Sequence, residues 1–293
     1  MDEMVRHLVA AALLTACANR AAPTHPQPEE TYPQVTHAPV TGELRVVTFN
    51  VHRETPEKVI EGITKDPALA NADIFILQEV HRVEKDGVPQ CSPACVLAKQ
   101  LGYHAIYAPG HQQGDGSDGV AVVSRIPLRS SEVIPLPFFN VHFNSGRRIA
   151  LAVTLEHQGT PVTVYAVHLD NRIGVKDRKK QMLPVLEHAK QRTTPVIIAG
   201  DFNTSPFTWI TGVIPVPTGT QDNRFEELVR AHGFATPVKD SGPTHHHLWM
   251  KLDGIYTRGF DTIDFATAKA KDVSDHLALW ATMKPSVTSS TKL

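Results

Sequence analysis

Several apolar runs of this chain end or begin on side chains that can hold a cation or move a proton. Leu44–Asn50 (LRVVTFN) ends on the Asn50 amide, Asp73–Glu79 (DIFILQE) on the Glu79 carboxylate and Val162–His168 on the His168 imidazole. Val196–Ala199 is followed by Gly200, Asp201, Phe202 and Asn203, and Asp275 with His276 opens the last run, SDHLALWAT. Runs so short and rich in β-branched residues read as strands buried on both faces, and strand ends are where the sites of layered α/β proteins gather. Gly200 reads as a tight turn that delivers Asp201 to the mouth of a sheet. Carboxylate and amide oxygens are hard ligands suited to Mg2+ or Mn2+, which also bind substrate phosphate. Imidazoles beside such an ion can offset phosphate charge or transfer protons. Each residue alone also has a structural reading: Asn50 as an Asx turn, Asp253 as a hairpin acid, His276 as a turn residue, and Asp201 with Asn203 as cap or αL residues. Their recurrence at strand ends favours chemistry, and no helical HExxH or CxxC pair points to zinc.

The elements that must position these residues alternate in type. Thr55 with Pro56 starts a helix with Val59, Ile60 and Ile63 on one face, and Ser92 with Pro93 opens a short helix that Gly102 ends. Strand-like runs follow at Tyr103–Ala108, Val120–Ser124, Ile149–Glu156 and Val162–His168. Lys176–Gln191 reads as helical, with Pro184 a kink or early break, and Phe225–Ala231 as a helix stopped by Gly233. The segment Gly110–Gly119 lacks the spacing and Lys of a phosphate-cradling loop and reads as a mobile connection. Many strands with interspersed helices indicate one α/β domain of packed sheets with helices outside.

The chain has 293 residues, 41% hydrophobic and 20% charged, which fits a substantial core. Lys plus Arg number 29 against 30 Asp plus Glu, so no bulk positive field collects nucleic acid, which stays possible as a partner without being favoured. His7–Ala16 is an apolar segment too short to span a bilayer, and it ends in LTAC at Leu14–Cys17. That ending is similar to the bacterial lipobox, so Cys17 is expected to be lipidated, with a simple secretory signal as the alternative. Either way the protein is expected to be exported. The organisation read from the sequence is a signal peptide with lipobox at 1–17, a Pro-rich tether at 18–42, one catalytic domain at 43–284 and a frayed tail at 285–293. Cys91 and Cys95, in an exported chain, are expected to form a disulfide rather than stay free. The run His245–His247, with His142, reads as solvated loop, and Arg147 with Arg148 as a solvated strand start that could reach phosphate.

The sequence resembles the endonuclease/exonuclease/phosphatase superfamily, which includes deoxyribonuclease I, abasic-site endonucleases, inositol phosphatases and neutral sphingomyelinases. The likeness runs from TFNVH at Thr48 through LQEV at Leu77, VHL at Val167, GDFN at Gly200 and LDGI at Leu252 to SDH at Ser274. It implies a four-layer α/β sandwich, deoxyribonuclease I-like, and hydrolysis of a phosphate ester by water activated with Mg2+ (or Mn2+). It also implies roles. Glu79 is the principal metal ligand with Asn50 beside it and Asp275 as a further one, and Asp201 orients or deprotonates the water. Asn203 holds a phosphate oxygen, His276 sits at the scissile phosphate paired with Asp253, and His168 lies near the leaving or phosphoryl oxygens. The expected protein is a membrane-anchored bacterial lipoprotein, monomeric, facing periplasm or exterior. Its expected substrate is a phosphodiester of a lipid headgroup or small molecule. The alternatives are an exported nuclease and an inactive tethered binding module.

Overall fold

The computed structural model describes residues 27–33, 37–140, 146–210, 213–218, 221–268 and 273–286. Cys17, with the rest of the apolar leader, His142 and the tail from 287 onward lie outside these residues. In chain order the strands are β1 (Glu29–Thr31), β2 (Leu44–Asn50), β3 (Ile74–Lys85), β4 (Val88–Pro89), β5 (His104–Gln113), β6 (Gly116–Ser124), β7 (Leu128–Pro135), β8 (Ile149–His157), β9 (Thr160–His168), β10 (Val196–Asp201), β11 (Phe207–Ile210), β12 (Ile214–Pro217), β13 (Asp253–Arg258), β14 (Phe260–Thr267) and β15 (Leu279–Pro285). The helices are α1 (Pro56–Lys65), α2 (Pro67–Ala70), α3 (Pro93–Leu101), α4 (Val175–Lys190) and α5 (Gln221–Ala231).

Two mixed sheets carry the domain. The larger is ordered β1-β5-β6-β3-β2-β15-β14, with β4 added to β3, and the smaller β13-β10-β9-β8-β7. Successive side chains of a strand point to opposite faces. Val46 of β2 therefore meets Ile197 and Ala199 of β10 in a core shared by the sheets. Their neighbours face outward: Val47 and Phe49 pack beneath α1, α2 and α3, and Val196 and Ile198 beneath α4 and α5. Burial on both faces explains the continuous apolar runs. The result is an α/β/β/α sandwich.

Local chemistry sets the helix ends. The Thr55 and Ser92 side chains accept from the Lys58 and Cys95 N–H groups, and Gly102 closes α3 in the left-handed region at φ 69°. Cys91 and Cys95 form a disulfide across the start of α3, with Cα atoms 5.4 Å apart. Helix α4 runs unbroken through Pro184, contrary to the expected break, because Met182, Val185, Leu186 and Ala189 hold its inner face against the sheet.

Four further expectations are corrected. The described part of 18–42 is laid on the domain rather than free: β1 pairs with edge strand β5, Val40 packs on the inter-sheet core, and the Gly42 carbonyl accepts from His157 Nε2 at 3.0 Å. An open edge offers unpaired backbone groups, and this pairing covers them. Gly110–Gly119 is not a loop but the turn end of the β5–β6 hairpin; a Cβ on Gly119 would lie 2.0 Å from the Ala108 carbonyl oxygen, so its glycine marks close strand approach. Gly200 likewise sits within β10, where a Cβ would strike the Val167 carbonyl oxygen at 1.9 Å, so it permits tight β9–β10 pairing rather than a turn. Glu79 does not end its strand. It occupies a register shift of β3 against β6, with left-handed φ of 51°, and the strand continues to Lys85. A bulge re-aims one side chain, here into the site.

Candidate active site

The register of the smaller sheet places three of the predicted residues in one row. Asp201 at the end of β10 lies opposite His168 of β9 and Asp253 of β13. Across the inter-sheet space β2 delivers Asn50, and the β3 bulge delivers Glu79. The two sheets are joined there by Asn50 Nδ2, which donates to Asp201 Oδ2 at 3.0 Å and to Glu79 Oε1 at 3.3 Å. His276 precedes β15 on a segment pinned by Ser274, whose hydroxyl donates to the Asn50 carbonyl at 2.7 Å and accepts the His276 N–H.

Asp201 is the centre of this cluster. Its Oδ1 accepts the Asn203 N–H at 2.8 Å, and its Oδ2 lies 3.6 Å from His168 Nε2 and 3.8 Å from His276 Nε2. Burial, with Asp253 nearby, holds its pKa well above the usual carboxylate range even though His276 opposes this. His276 Nδ1 donates to Asp253 Oδ2 at 2.8 Å. Burial alone would keep that imidazole neutral, but the Asp253 and Asp201 carboxylates outweigh it and push it up to about 10. The arrangement is a raised acid facing a charged imidazole, a pairing suited to proton transfer. Asn203 has a left-handed φ of 51° and donates its amide to the Leu169 carbonyl at 2.9 Å, so it is held rigidly beside Asp201.

His168 is fixed differently. Arg148 Nη1 lies 2.8 Å from His168 Nδ1, and a guanidinium only donates, so Nδ1 accepts and Nε2 carries the ring proton toward Asp201 and Glu79. Burial first, then Arg148, keep this imidazole neutral, well below its ordinary range. Arg148 also donates to Asp170, whose carboxylate accepts from Gln181 Nε2, and the buried Arg178 donates to the Asp170 carbonyl and to Gln221. The sequence reading of Arg148 as solvated is corrected: it is buried because Asp170 and His168 satisfy it.

Arg53, Asp118 and His111 were not singled out in the sequence. Arg53 ion-pairs with Glu79 Oε2 at 3.1 Å and Asp118 Oδ2 at 3.3 Å. Burial first, then Glu79, raise the pKa of Asp118, and burial with Arg148 pushes that of His111 down to about 3. The one available signal for Arg53 was its place three residues after Asn50. Asp118 was hidden by the glycines around it. His52, Arg53, Glu79 and Asn203 all hold left-handed backbone without being glycine, and such residues cluster at functional sites.

The solvated-loop reading of His245 is also corrected. The loop is bonded to the Asp275 segment through His246 N to the Asp275 carbonyl and Leu277 N to the Thr244 carbonyl. His245 Nε2 lies 3.4 Å from Asp275 Oδ2, and burial notwithstanding, His245 with His276 and His52 holds that carboxyl well below its usual range. Two triads of His and carboxylate could in principle hold a metal, His245–Asp275–His276 and Asp201–Asp253–His276. Their imidazoles are already engaged: His276 Nδ1 by Asp253, and His245 Nδ1 as acceptor of the Leu248 N–H at 3.2 Å, which leaves its Nε2 protonated toward Asp275. Asn50, Glu79 and Asp275 offer the oxygen donors that a hard cation prefers. Glu79 Oε2 is buried without a well-formed hydrogen bond, with the Arg53 guanidinium at 3.1 Å as the cation that faces it.

A family profile described as "Endonuclease/Exonuclease/phosphatase family" matches residues 47–276, which take in every one of these side chains. The chain belongs to that family. Among solved structures it is similar to an endonuclease/exonuclease/phosphatase of Beutenbergia cavernae DSM 12333, with TM-score 0.66 and 23% identity over 83% of this chain and 72% of that one. It is also similar to the human Nocturnin catalytic domain with bound sulfate, TM-score 0.60 and 19% identity over 90% of this chain and 100% of that one. A third is D. rerio TDP2 complexed with single-strand DNA product, TM-score 0.58 and 17% identity over 83% and 99% of the two chains. At these identities the likeness establishes the deoxyribonuclease I-like fold. No curated protein matches the sequence significantly.

The Asp253–His276 pair gives a prediction independent of substrate identity. Replacing Asp253 by Asn removes the carboxylate that favours imidazolium, so His276 loses its proton at lower pH. The alkaline limb of kcat/KM against pH should move down from near 10 by at least about one unit. An unmoved limb with reduced rate would show that His276 is not the group titrating there.

Proposed function

We propose that this family member is a metal-dependent phosphodiesterase that cleaves its substrate with water activated at Asp201. The observation that carries the reading is the position of the Asp201 carboxylate: buried, and faced at once by Asn50, His168 and His276. Asn50, Glu79 and Asp275 are the residues that would hold Mg2+ or Mn2+. Such an ion supplies positive charge to the phosphate and acidity to bound water. The protein's own groups do the rest. Asp201 accepts the proton of the attacking water. Charged His276, oriented by Asp253, sets a cation against the phosphoryl oxygens, and His168 offers its Nε2–H to the same charge. An amide carries two N–H bonds, so Asn203 keeps one for a phosphate oxygen while the other serves Leu169.

On the substrate, the near-neutral charge balance and lack of a Lys/Arg-rich stripe favour a lipid-headgroup or small-molecule diester over nucleic acid. The apolar leader and LTAC sequence support export and anchoring through Cys17. No helix among the described residues is long and apolar enough to cross a membrane. A substrate panel tests the preference: plasmid, single-stranded DNA, RNA, sphingomyelin, glycerophospholipid and inositol phosphates, each with Mg2+. Turnover is expected to be greatest on a lipid or small ester. DNA hydrolysis far above all of these would assign the site to a nuclease.

A further inference from the structure

Between Asp201 and Asp222 the chain carries no charged residue for twenty positions, from Phe202 to Gln221. This stretch contains β11 and β12, which pair with each other and, among the described residues, with no other strand. Ile210, Val213, Ile214 and Val216 are exposed, at 52%, 44%, 56% and 37%. A two-stranded sheet is barely stable in water by itself, and so much bare aliphatic surface on one is a cost unless something covers it.

The burial pattern of β12 says what kind of cover fits. All four of its residues, Ile214–Pro217, are exposed, and neighbouring side chains on a strand point to opposite faces. Apolar groups are thus bare on both faces. A protein partner covers one face and edges its contact with polar side chains. A lipid phase surrounds a strand and requires no polar rim. The prolines agree with that medium. Pro215 and Pro217 have no N–H, so the ladder to β11 uses the N–H groups of Ile214 and Val216, and the outer edge of β12 carries no unpaired donor at 215 or 217. Unpaired donors are what hydrocarbon penalises most.

A second apolar projection stands across the site. Leu248 and Trp249 are 63% and 79% exposed, and Trp249 is held with left-handed φ of 51°. Both projections leave the Asp201–Asp253 end of the β10–β13 pair, where Phe202 N bonds the Leu252 carbonyl and Thr204 Oγ1 the Lys251 carbonyl. The hairpin base also abuts the start of α4, with Thr208 at 4.0 Å from a Cβ built on Gly174.

We propose that β11–β12 and the Leu248–Trp249 loop are a bilayer-docking surface that seats the catalytic mouth on lipid, so that the diester it hydrolyses is drawn from that surface. The substrate half of this inference rests on the proposed phosphodiesterase activity; the docking half does not. The test uses full chains, all carrying Cys17→Ser to prevent lipid attachment and Trp209→Phe with Trp280→Phe to leave Trp249 as the sole indole. Vesicles of phosphatidylcholine brominated on the acyl chain are the probe. Trp249 emission should shift blue and be quenched about twofold or more. Adding Ile214→Ser and Val216→Ser should weaken vesicle partitioning about tenfold or more, with hydrolysis of soluble bis(p-nitrophenyl) phosphate unchanged. Absence of quenching, or partitioning indifferent to the serines, overturns the proposal. So does a lipid-free dimer that the serines dissociate, because a second copy would then be the cover. Loss of soluble-diester turnover in the parent chain with quenching intact would defeat the phosphodiesterase reading and leave the docking surface standing.

Discussion

Asp201→Asn should hydrolyse a phosphodiester about three orders of magnitude or more slowly than the parent chain, with its fold intact. The amide keeps the shape and can still accept the Asn203 N–H, but it cannot take the proton of an attacking water. Stability should move the other way. The folded-state pKa of Asp201 is raised by burial, so its contribution is favourable below the ordinary carboxylate range and is lost as pH climbs through the raised value. Asn has no charge to bury. The variant's melting temperature should therefore gain on the parent's as pH rises from about 4 to 8, the window between an ordinary and a raised carboxylate. A variant as active as the parent, measured as kcat on bis(p-nitrophenyl) phosphate, would remove Asp201 from the chemistry.

Glu79→Gln should have an effect of similar size by another route. Glu79 reaches the site only because the β3 bulge turns it there, where Arg53, Asn50 Nδ2 and His168 Nε2 face it. Gln keeps the length and loses the charge, so Mn2+ affinity, read by calorimetry on the unreacted protein, should fall about a hundredfold or more, and kcat with it. Unchanged Mn2+ affinity would move the metal away from Glu79, toward the His-containing groups around Asp275.

The strand-end residues were legible because a buried strand leaves a sharp trace: VIIAGD is apolar until Asp201, and LRVVTFN, despite Arg45 and Thr48, is largely so until Asn50. The same runs indicated packed sheets with helices outside, since their alternate residues fill two different cores, and the family resemblance implied the four layers. What was not legible depends on register. Nothing local to Glu79 announces a bulge, since the shift arises from pairing with β6. Asp118 and Arg53 meet only because β6 lies beside β3, so neither has a sequence neighbour that gives away its partner. His245 resembled a polar loop because its partner Asp275 is thirty residues away and is reached through backbone bonds. Arg148 was ambiguous for the reverse reason: a strand-start arginine is ordinarily solvated, and the acid that buries it, Asp170, lies just past the next strand.

Metal dependence is the central claim, and one titration tests it most directly. Protein stripped with EDTA and freed of chelator is assayed on bis(p-nitrophenyl) phosphate while Mg2+ or Mn2+ is added back. The account predicts no turnover before addition and saturable recovery with either ion, with Asp201→Asn remaining inactive throughout. Full turnover in the presence of EDTA would contradict it.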